Sequence, residues 1–226
     1  MQLSFRSIAI TSVLGLAAVS AQANLTLPIH FTQSNSVQKF PDEVLQSFEL
    51  LYVEVAAKGN ATALGDLAAG TSNKASFSFP ITKIVIGPKL NIASGSAVGS
   101  ALELRRANDD GVYIGFTLAN FTIDYVSKKV VADVTPFGGT GTKMAIYDYR
   151  LATPLALKYK FPLTVTGHEV LDQLKLTEAA KAVFKSALDL PEFTYFALDL
   201  DYGMLTQDIS FKARKPAAST KPYVGK

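Results

Sequence analysis

Short runs of β-branched and aromatic residues, separated by turn residues, dominate the sequence after position 23. In segment 76–79, polar and apolar side chains alternate, as they do in a strand with one buried face. Segments 121–126 and 130–135 are two strand patterns joined by the polar turn 127–129, which predicts a hairpin. About ten such segments predict an all-β fold, either an antiparallel β-sandwich or, as the alternative, a barrel.

Helix patterns are scarce, which predicts one or two short peripheral helices. Thr177 can cap a helix over residues 178–189, in which apolar side chains recur at helical spacing around Phe184. A second short helix is predicted over residues 41–46, because Pro41 stands at its first position and acidic residues follow.

The N-terminus has the three parts of a secretory signal peptide. Residues 1–6 carry one positive charge, residues 7–19 are largely apolar, and Ala21 and Ala23 are the small residues that a signal peptidase reads. We therefore predict a signal peptide over 1–23, a single domain over 24–211 and a basic flexible tail over 212–226. The protein is expected to be exported, either to the periplasm or out of the cell.

Composition excludes several chemistries. The chain has no Cys and only 2 His, so thiol catalysis, disulfides and thiolate metal sites are excluded. No second apolar stretch is long enough to predict a transmembrane segment. The Gly-rich loop 136–141 leads into a strand pattern rather than a helix, so we expect no phosphate cradle and no nucleic-acid partner.

Two groups of side chains are candidate sites. Tyr147 and Tyr149 lie two apart on one predicted strand and so share a face; together with Tyr159 they could line a pocket for an apolar ligand. Segment 193–213 reads as two strands that turn at Tyr202-Gly203, and Asp199 and Asp201 would then place two carboxylates on one face, suited to calcium. The same tyrosines and aspartates also fit ordinary strand positions.

A series of segments resembles exported bacterial β-sandwich proteins, among them the HtaA-type haem-uptake domains and their relatives of unassigned function. These segments are 79–82, 94–99 with 102–104, 118–124, 129–134 and 176–180. The resemblance implies a β-sandwich that works outside the cytoplasm. Ser94 stands where some such domains carry a histidine, so the resemblance supplies no haem ligand, and we expect no cofactor.

These observations favour a non-enzymatic protein with a binding or envelope-structural role, whose partner is an unknown small ligand or a component of the cell envelope. A carrier of an apolar ligand in a barrel cavity and an envelope hydrolase that uses Asp and His are the alternatives. Three Asn-x-Thr sequons, at Asn24, Asn60 and Asn120, matter only in a eukaryotic host.

Export gives a direct test. N-terminal sequencing of the secreted protein is expected to begin at Asn24, because cleavage after Ala23 satisfies the small-residue preference of the peptidase. Recovery of the uncleaved chain in the cytoplasm alone would contradict the prediction.

Overall fold

The structure of the chain is a computed structural model that describes residues 24–87, 92–160 and 164–225. The predicted signal peptide, 1–23, lies outside the described residues. The all-β class is confirmed: most described residues belong to strands, and the helices are short. None of the described helices has the length and apolar character needed to cross a membrane.

Twelve strands and two α-helices follow one another within the described residues. The first half contains β1 Leu25–Pro28, β2 Asn35–Lys39, α1 Asp42–Leu50, β3 Glu54–Gly59, β4 Thr62–Leu67, β5 Lys74–Pro80, β6 Lys83–Ile86 and β7 Ile92–Ala107. The second half contains β8 Tyr113–Asp124, β9 Lys129–Pro136, β10 Thr142–Lys160, β11 Thr164–Leu176, α2 Glu178–Ala187, a 3-10 helix Glu192–Asp199 and β12 Met204–Ser210.

All of these strands join one antiparallel sheet. Its order is β1-β6-β7-β8-β9-β10-β11-β12-β2-β5-β4, and β3 pairs with β7 outside this path. The sheet curls into a half-barrel, an arrangement between the sandwich and the barrel that the sequence left open. Its concave side holds one large apolar core, to which both α-helices contribute.

The predicted hairpin and both predicted helices are present. β8 and β9 pair from Phe116 opposite Pro136 to Asp124 opposite Lys129, around the turn at 125–128. Helix α2 starts as expected, because the Thr177 hydroxyl accepts a hydrogen bond from the amide of Ala180. Helix α1 runs four residues beyond its predicted end, to Leu50, and buries Val44, Leu45 and Phe48.

Aromatic rings fill the centre of the half-barrel. Tyr202 is almost fully buried, and its ring centroid lies 5.7 Å from that of Tyr147 and 6.1 Å from that of Phe184. Phe184 projects from α2 and meets Phe116 of β8 at 4.8 Å. Helix and sheet are therefore held together by ring contacts, each of which adds to the burial of apolar area.

The segment before Tyr202 differs from the prediction. Residues 193–201 were expected to form a strand, but Glu192–Asp199 is a 3-10 helix that follows Pro191. Its aromatic residues favour β-structure locally, yet Thr194, Ala197 and Leu198 are buried on one side of this helix. Tertiary packing has overridden local propensity, as it often does in short segments.

Residues 212–225 also depart from their prediction. In place of a solvated tail, this C-terminal segment runs back over the fold and makes hydrogen bonds before residue 215 and again from residue 218 onward. Basic charge without acidic residues predicted a frayed end, but polar main-chain contacts hold the segment instead.

The position of Phe184 predicts a large effect of truncation. Phe184→Ala is expected to lower the free energy of unfolding by about 3–5 kcal/mol, because it removes a buried ring that contacts both sheet and loop. Ser186→Ala, on the exposed side of the same helix, is expected to stay within about 0.5 kcal/mol. Denaturant titration measures both values, and equal effects would show that the buried face of α2 is wrongly assigned.

Candidate functional site: a groove on the outer face of the sheet

Tyr147 and Tyr149, the predicted ligand-binding residues, lie inside the half-barrel. Both are buried, 4% and 7% exposed, and they share the concave face as their spacing predicts. The hydroxyl of Tyr147 accepts a hydrogen bond from the side-chain amide of Gln38 (3.3 Å). Burial raises the pKa of Tyr147 to about 12 and raises that of Tyr149 further, so both phenols remain protonated.

A buried carboxyl group lies close to these rings. The hydroxyl of Tyr125 donates a short hydrogen bond of 2.5 Å to the carboxylate of Glu169. Glu169 is only 3% exposed. Burial raises the pKa of the Glu169 carboxyl above its usual value, and the bond from Tyr125 opposes that shift. This hydrogen bond gives the Tyr125 hydroxyl and the Glu169 carboxyl a partner within the wall of the core.

The interior cavity is too small to be a ligand site. The cavity beside Phe79, Phe121 and Tyr147 has a volume of about 30 Å³. Pockets that hold small molecules measure roughly 300–1,000 Å³. The interior as it stands has room for ordered water and is otherwise a packed core.

The remaining predicted site residues do not converge. Tyr159 belongs to β10, but its side chain lies outside the described part of the chain. Asp199 ends the 3-10 helix and accepts a hydrogen bond from the ammonium of Lys181 (2.6 Å), while Asp201 caps the amide of Gly203 (2.8 Å). They therefore do not share a strand face, and no group of three potential metal ligands occurs among the described residues.

One histidine–carboxylate pair exists in the described chain. Nδ1 of His168 lies 2.8 Å from Oδ1 of Asp208, across the pairing of β11 with β12. Both side chains are more than half exposed, and no hydroxyl group in the described residues is hydrogen-bonded to the ring. The pair resembles a cross-strand surface contact more closely than a catalytic dyad.

The outer face of β7, β8 and β9 is covered although it points away from the core. Phe116 and Leu118 of β8 face the core, so Thr117 between them faces outward. Thr117 is nonetheless only 2% exposed. The C-terminal segment provides the cover: a β-carbon on Gly225 would lie 3.2 Å from the Cβ of Thr117 and 2.8 Å from that of Thr135.

Two irregularities in the sheet shape this outer face. The register of β7 against β8 shifts between Ala97 and Ala101, and Gly99 within that shift has a φ of 80°. The register of β8 against β9 shifts next to it, where Asn120 has a φ of 54°. Such bulges bend strands and redirect side chains, and Asn is among the residues that tolerate left-handed backbone.

Two asparagine side chains hold the segment through its main chain. The amide nitrogen of Asn60 donates to the carbonyl of Ser219 (2.8 Å), and its oxygen accepts from the N–H of Ser219 (3.1 Å). Asn120 binds Tyr223 in the same way, at 2.9 Å for both bonds. The oxygen of Asn120 also accepts from the N–H of Gly99 (3.0 Å), which ties the clamp to the neighbouring bulge.

Small residues make room for the segment. A β-carbon on Gly99 would lie 2.9 Å from the carbonyl oxygen of Lys221, and one on Gly59 would lie 3.0 Å from the ring of Tyr223. Real β-carbons do not approach other atoms so closely without a shift. We call this site the outer groove and define it by Gly59, Asn60, Gly99, Thr117, Asn120 and Thr135.

The segment is anchored separately before it enters the outer groove. The guanidinium of Arg214 donates to the carbonyl of Thr32 (2.9 Å) and to the side chain of Asn35 (2.6 Å). The amide of Ala218 then donates to the carbonyl of His30 (2.9 Å). The segment therefore crosses from β12 and β2 to the far wall of the half-barrel.

The outer groove is larger than the segment that lies in it. Beside residues 222–225 it leaves an open pocket of about 490 Å³. Asn120, Asp133, Thr135 and Lys143 supply the polar groups of its sheet side, and Gly139 and Gly141 complete it. Its volume lies within the range of pockets that hold small molecules.

Sequence reasoning missed the outer groove. Asn60 and Asn120 were weighed only as glycosylation sequons, and the C-terminal segment only by its charge. One local signal exists: Asn120 interrupts two apolar strand patterns, which is where a bulge is expected. Comparisons of the chain with protein-family models, curated proteins and solved structures give no match.

The crowding at Gly99 predicts a specific loss of docking. Gly99→Ala is expected to destabilise the protein by about 1–2 kcal/mol through its left-handed backbone and, in addition, to displace Lys221. Hydrogen exchange at the amides of Ser219 and Tyr223 should therefore accelerate.

Gly65→Ala is the matched control, because Gly65 has a similar φ of 71° and nothing within 4 Å of its β-carbon position. It should cost the same strain and leave exchange in the segment unchanged. Equal exchange in the two variants would contradict the docking contact.

Proposed function

We propose that this protein is an exported, non-enzymatic binding protein whose outer groove binds a polypeptide segment through its main chain. The observation that carries the proposal is the paired clamp: Asn60 and Asn120 each bond both the N–H and the C=O of one bound residue. An asparagine side-chain amide can present one N–H group and its carbonyl oxygen to the C=O and N–H of a single residue, and it therefore recognises main chain independently of side chain.

The two clamps hold residues on either side of a bend. The bound residues, Ser219 and Tyr223, are four apart, and the backbone bends at Lys221 between them, where the N–H of Lys221 donates to the hydroxyl of Ser219 (3.2 Å). Gly99 lies beside the segment between the clamps and Gly59 lies against the ring of Tyr223, so both let the segment approach closely. Main-chain hydrogen bonds supply affinity in such recognition, and pockets for side chains supply specificity.

The two alternative functions receive less support. A carrier of apolar ligands needs an interior volume about ten times larger than the cavity beside Tyr147. A hydrolase that uses a side-chain nucleophile needs that group next to its base, and no side-chain hydroxyl is hydrogen-bonded to the exposed His168–Asp208 pair among the described residues. Export is supported by the signal-peptide pattern of residues 1–23.

The test uses a full-length acceptor variant in which the chain's own segment docks more weakly. Tyr223→Ala removes the ring next to Gly59, and Gly225→Val creates overlap with Thr117 and Thr135. A fluorescent peptide copy of residues 217–225 is expected to bind this acceptor, measured by fluorescence anisotropy. Adding Asn60→Ala and Asn120→Gly to the acceptor should weaken binding by about tenfold or more, because four hydrogen bonds to the main chain are lost.

Asn120→Gly is chosen because glycine accepts the φ of 54° and keeps the bulge. Val224→Ala serves as the control in the segment, since Val224 is 80% exposed and its truncation should not open the groove to the peptide. An acceptor that folds but leaves the peptide unbound would overturn the proposal.

A further inference from the structure

We infer that segment 217–225 of a second copy of this chain can occupy the outer groove, so that two copies associate by exchanging their C-terminal segments. The inference rests on the proposed function, and it names the partner that the groove fits. The partner is a copy of the chain itself, because the groove complements this particular segment in side chains as well as in main chain.

The complementarity is local and sequence-specific. Gly225 fits over Thr117 and Thr135, where any β-carbon would overlap, and the ring of Tyr223 lies against Gly59, where a side chain would displace it. An arbitrary segment would keep the bonds from Asn60 and Asn120 but lose this fit. A second copy presents the fitting residues at the same spacing.

The way in which the segment is held permits its release. Residues 215–217, between the anchor Arg214 and the first clamp, are exposed and make no hydrogen bond in the described structure. Residues 219–225 are attached at Asn60 and Asn120 rather than by a continuous β-ladder. The segment can therefore leave the groove while Arg214 and β12 stay in place.

Exchange obeys the symmetry of a closed dimer. Each copy contributes one groove and one segment, so reciprocal docking satisfies both and leaves nothing free to propagate a chain of molecules. A docked segment makes the same contacts whether it belongs to the same chain or to a second copy. The closed monomer and the exchanged dimer therefore differ in free energy mainly through the concentration of the segment that is available to the groove.

The experiment mixes two full-length variants that are defective in opposite ways. The donor, Asn60→Ala with Asn120→Gly, has an intact segment and a groove that holds it weakly. The acceptor, Tyr223→Ala with Gly225→Val, has an intact groove and a segment that fits it poorly. Each variant alone is expected to sediment as a monomer, and an equimolar mixture is expected to form a one-to-one complex.

Thermal melts establish that both variants fold. If the donor with both substitutions does not fold, a donor that carries only Asn60→Ala replaces it. A peptide of residues 217–225 in excess should dissociate the complex, and the same peptide in scrambled order should not. Analytical ultracentrifugation is done well above the dissociation constant of the peptide for the acceptor. Equal competition by the scrambled peptide would overturn the second copy as the fitting partner.

The outcomes separate this inference from the proposed function. If the peptide binds the acceptor but the mixture sediments as two monomers, segment exchange is overturned and the peptide-binding groove stands. If the acceptor binds neither the peptide nor the donor, both proposals fall. A one-to-one complex that the unscrambled peptide alone dissociates supports both.

Discussion

The packing of Tyr202 at the centre of the half-barrel determines where this protein can bind anything. Its ring is surrounded by those of Phe40, Phe48, Tyr147 and Phe184, so β10, both helices and the loop before β12 meet at one side chain. Interiors packed in this way are as dense as organic crystals and leave few voids larger than water. These rings leave the interior without the volume of a small-molecule pocket, and the binding site that we propose therefore lies on the outside of the sheet.

The outside of a regular sheet offers little for binding, because its backbone groups are paired with one another. The adjacent bulges at Gly99 and Asn120 change that by freeing backbone and side-chain groups in the middle of the sheet rather than at its edge. Asn120 uses its amide to bond the N–H of Gly99, the carboxylate of Asp133 and both polar groups of Tyr223. The left-handed backbone of Asn120 is unfavourable locally, and these bonds offset it. Observed strain of this kind points to a functional position.

The sequence predicted those parts of the structure that depend on near neighbours. The β8–β9 hairpin follows from two alternating segments around a short polar turn, and α2 follows from the Thr177 cap and the spacing of its apolar residues. The 3-10 helix was missed because its aromatic residues favour strands while its burial is decided by α1 and α2. The outer groove was missed for a stronger reason: Asn60 and Ser219 are 159 residues apart, and Asn120 and Tyr223 are 103 apart. Nothing local in residues 217–225 marks them as bound, since the contacts are made through their main chain.

Tethering explains how a groove that fits a segment so closely can still serve as a binding site. A segment on the same chain has an effective concentration on the order of mM, so a partner at ordinary concentration competes poorly for the occupied groove. The apparent affinity of the intact chain for a partner is therefore reduced in proportion to the fraction of molecules whose groove is open. Any change that weakens docking, whether a substitution at Gly225 or a modification of Tyr223, raises the fraction of open grooves and with it the apparent affinity for a second chain. In the exchange that we propose, the strength of the clamp at Asn60 and Asn120 sets both the stability of the closed monomer and the threshold at which copies would associate.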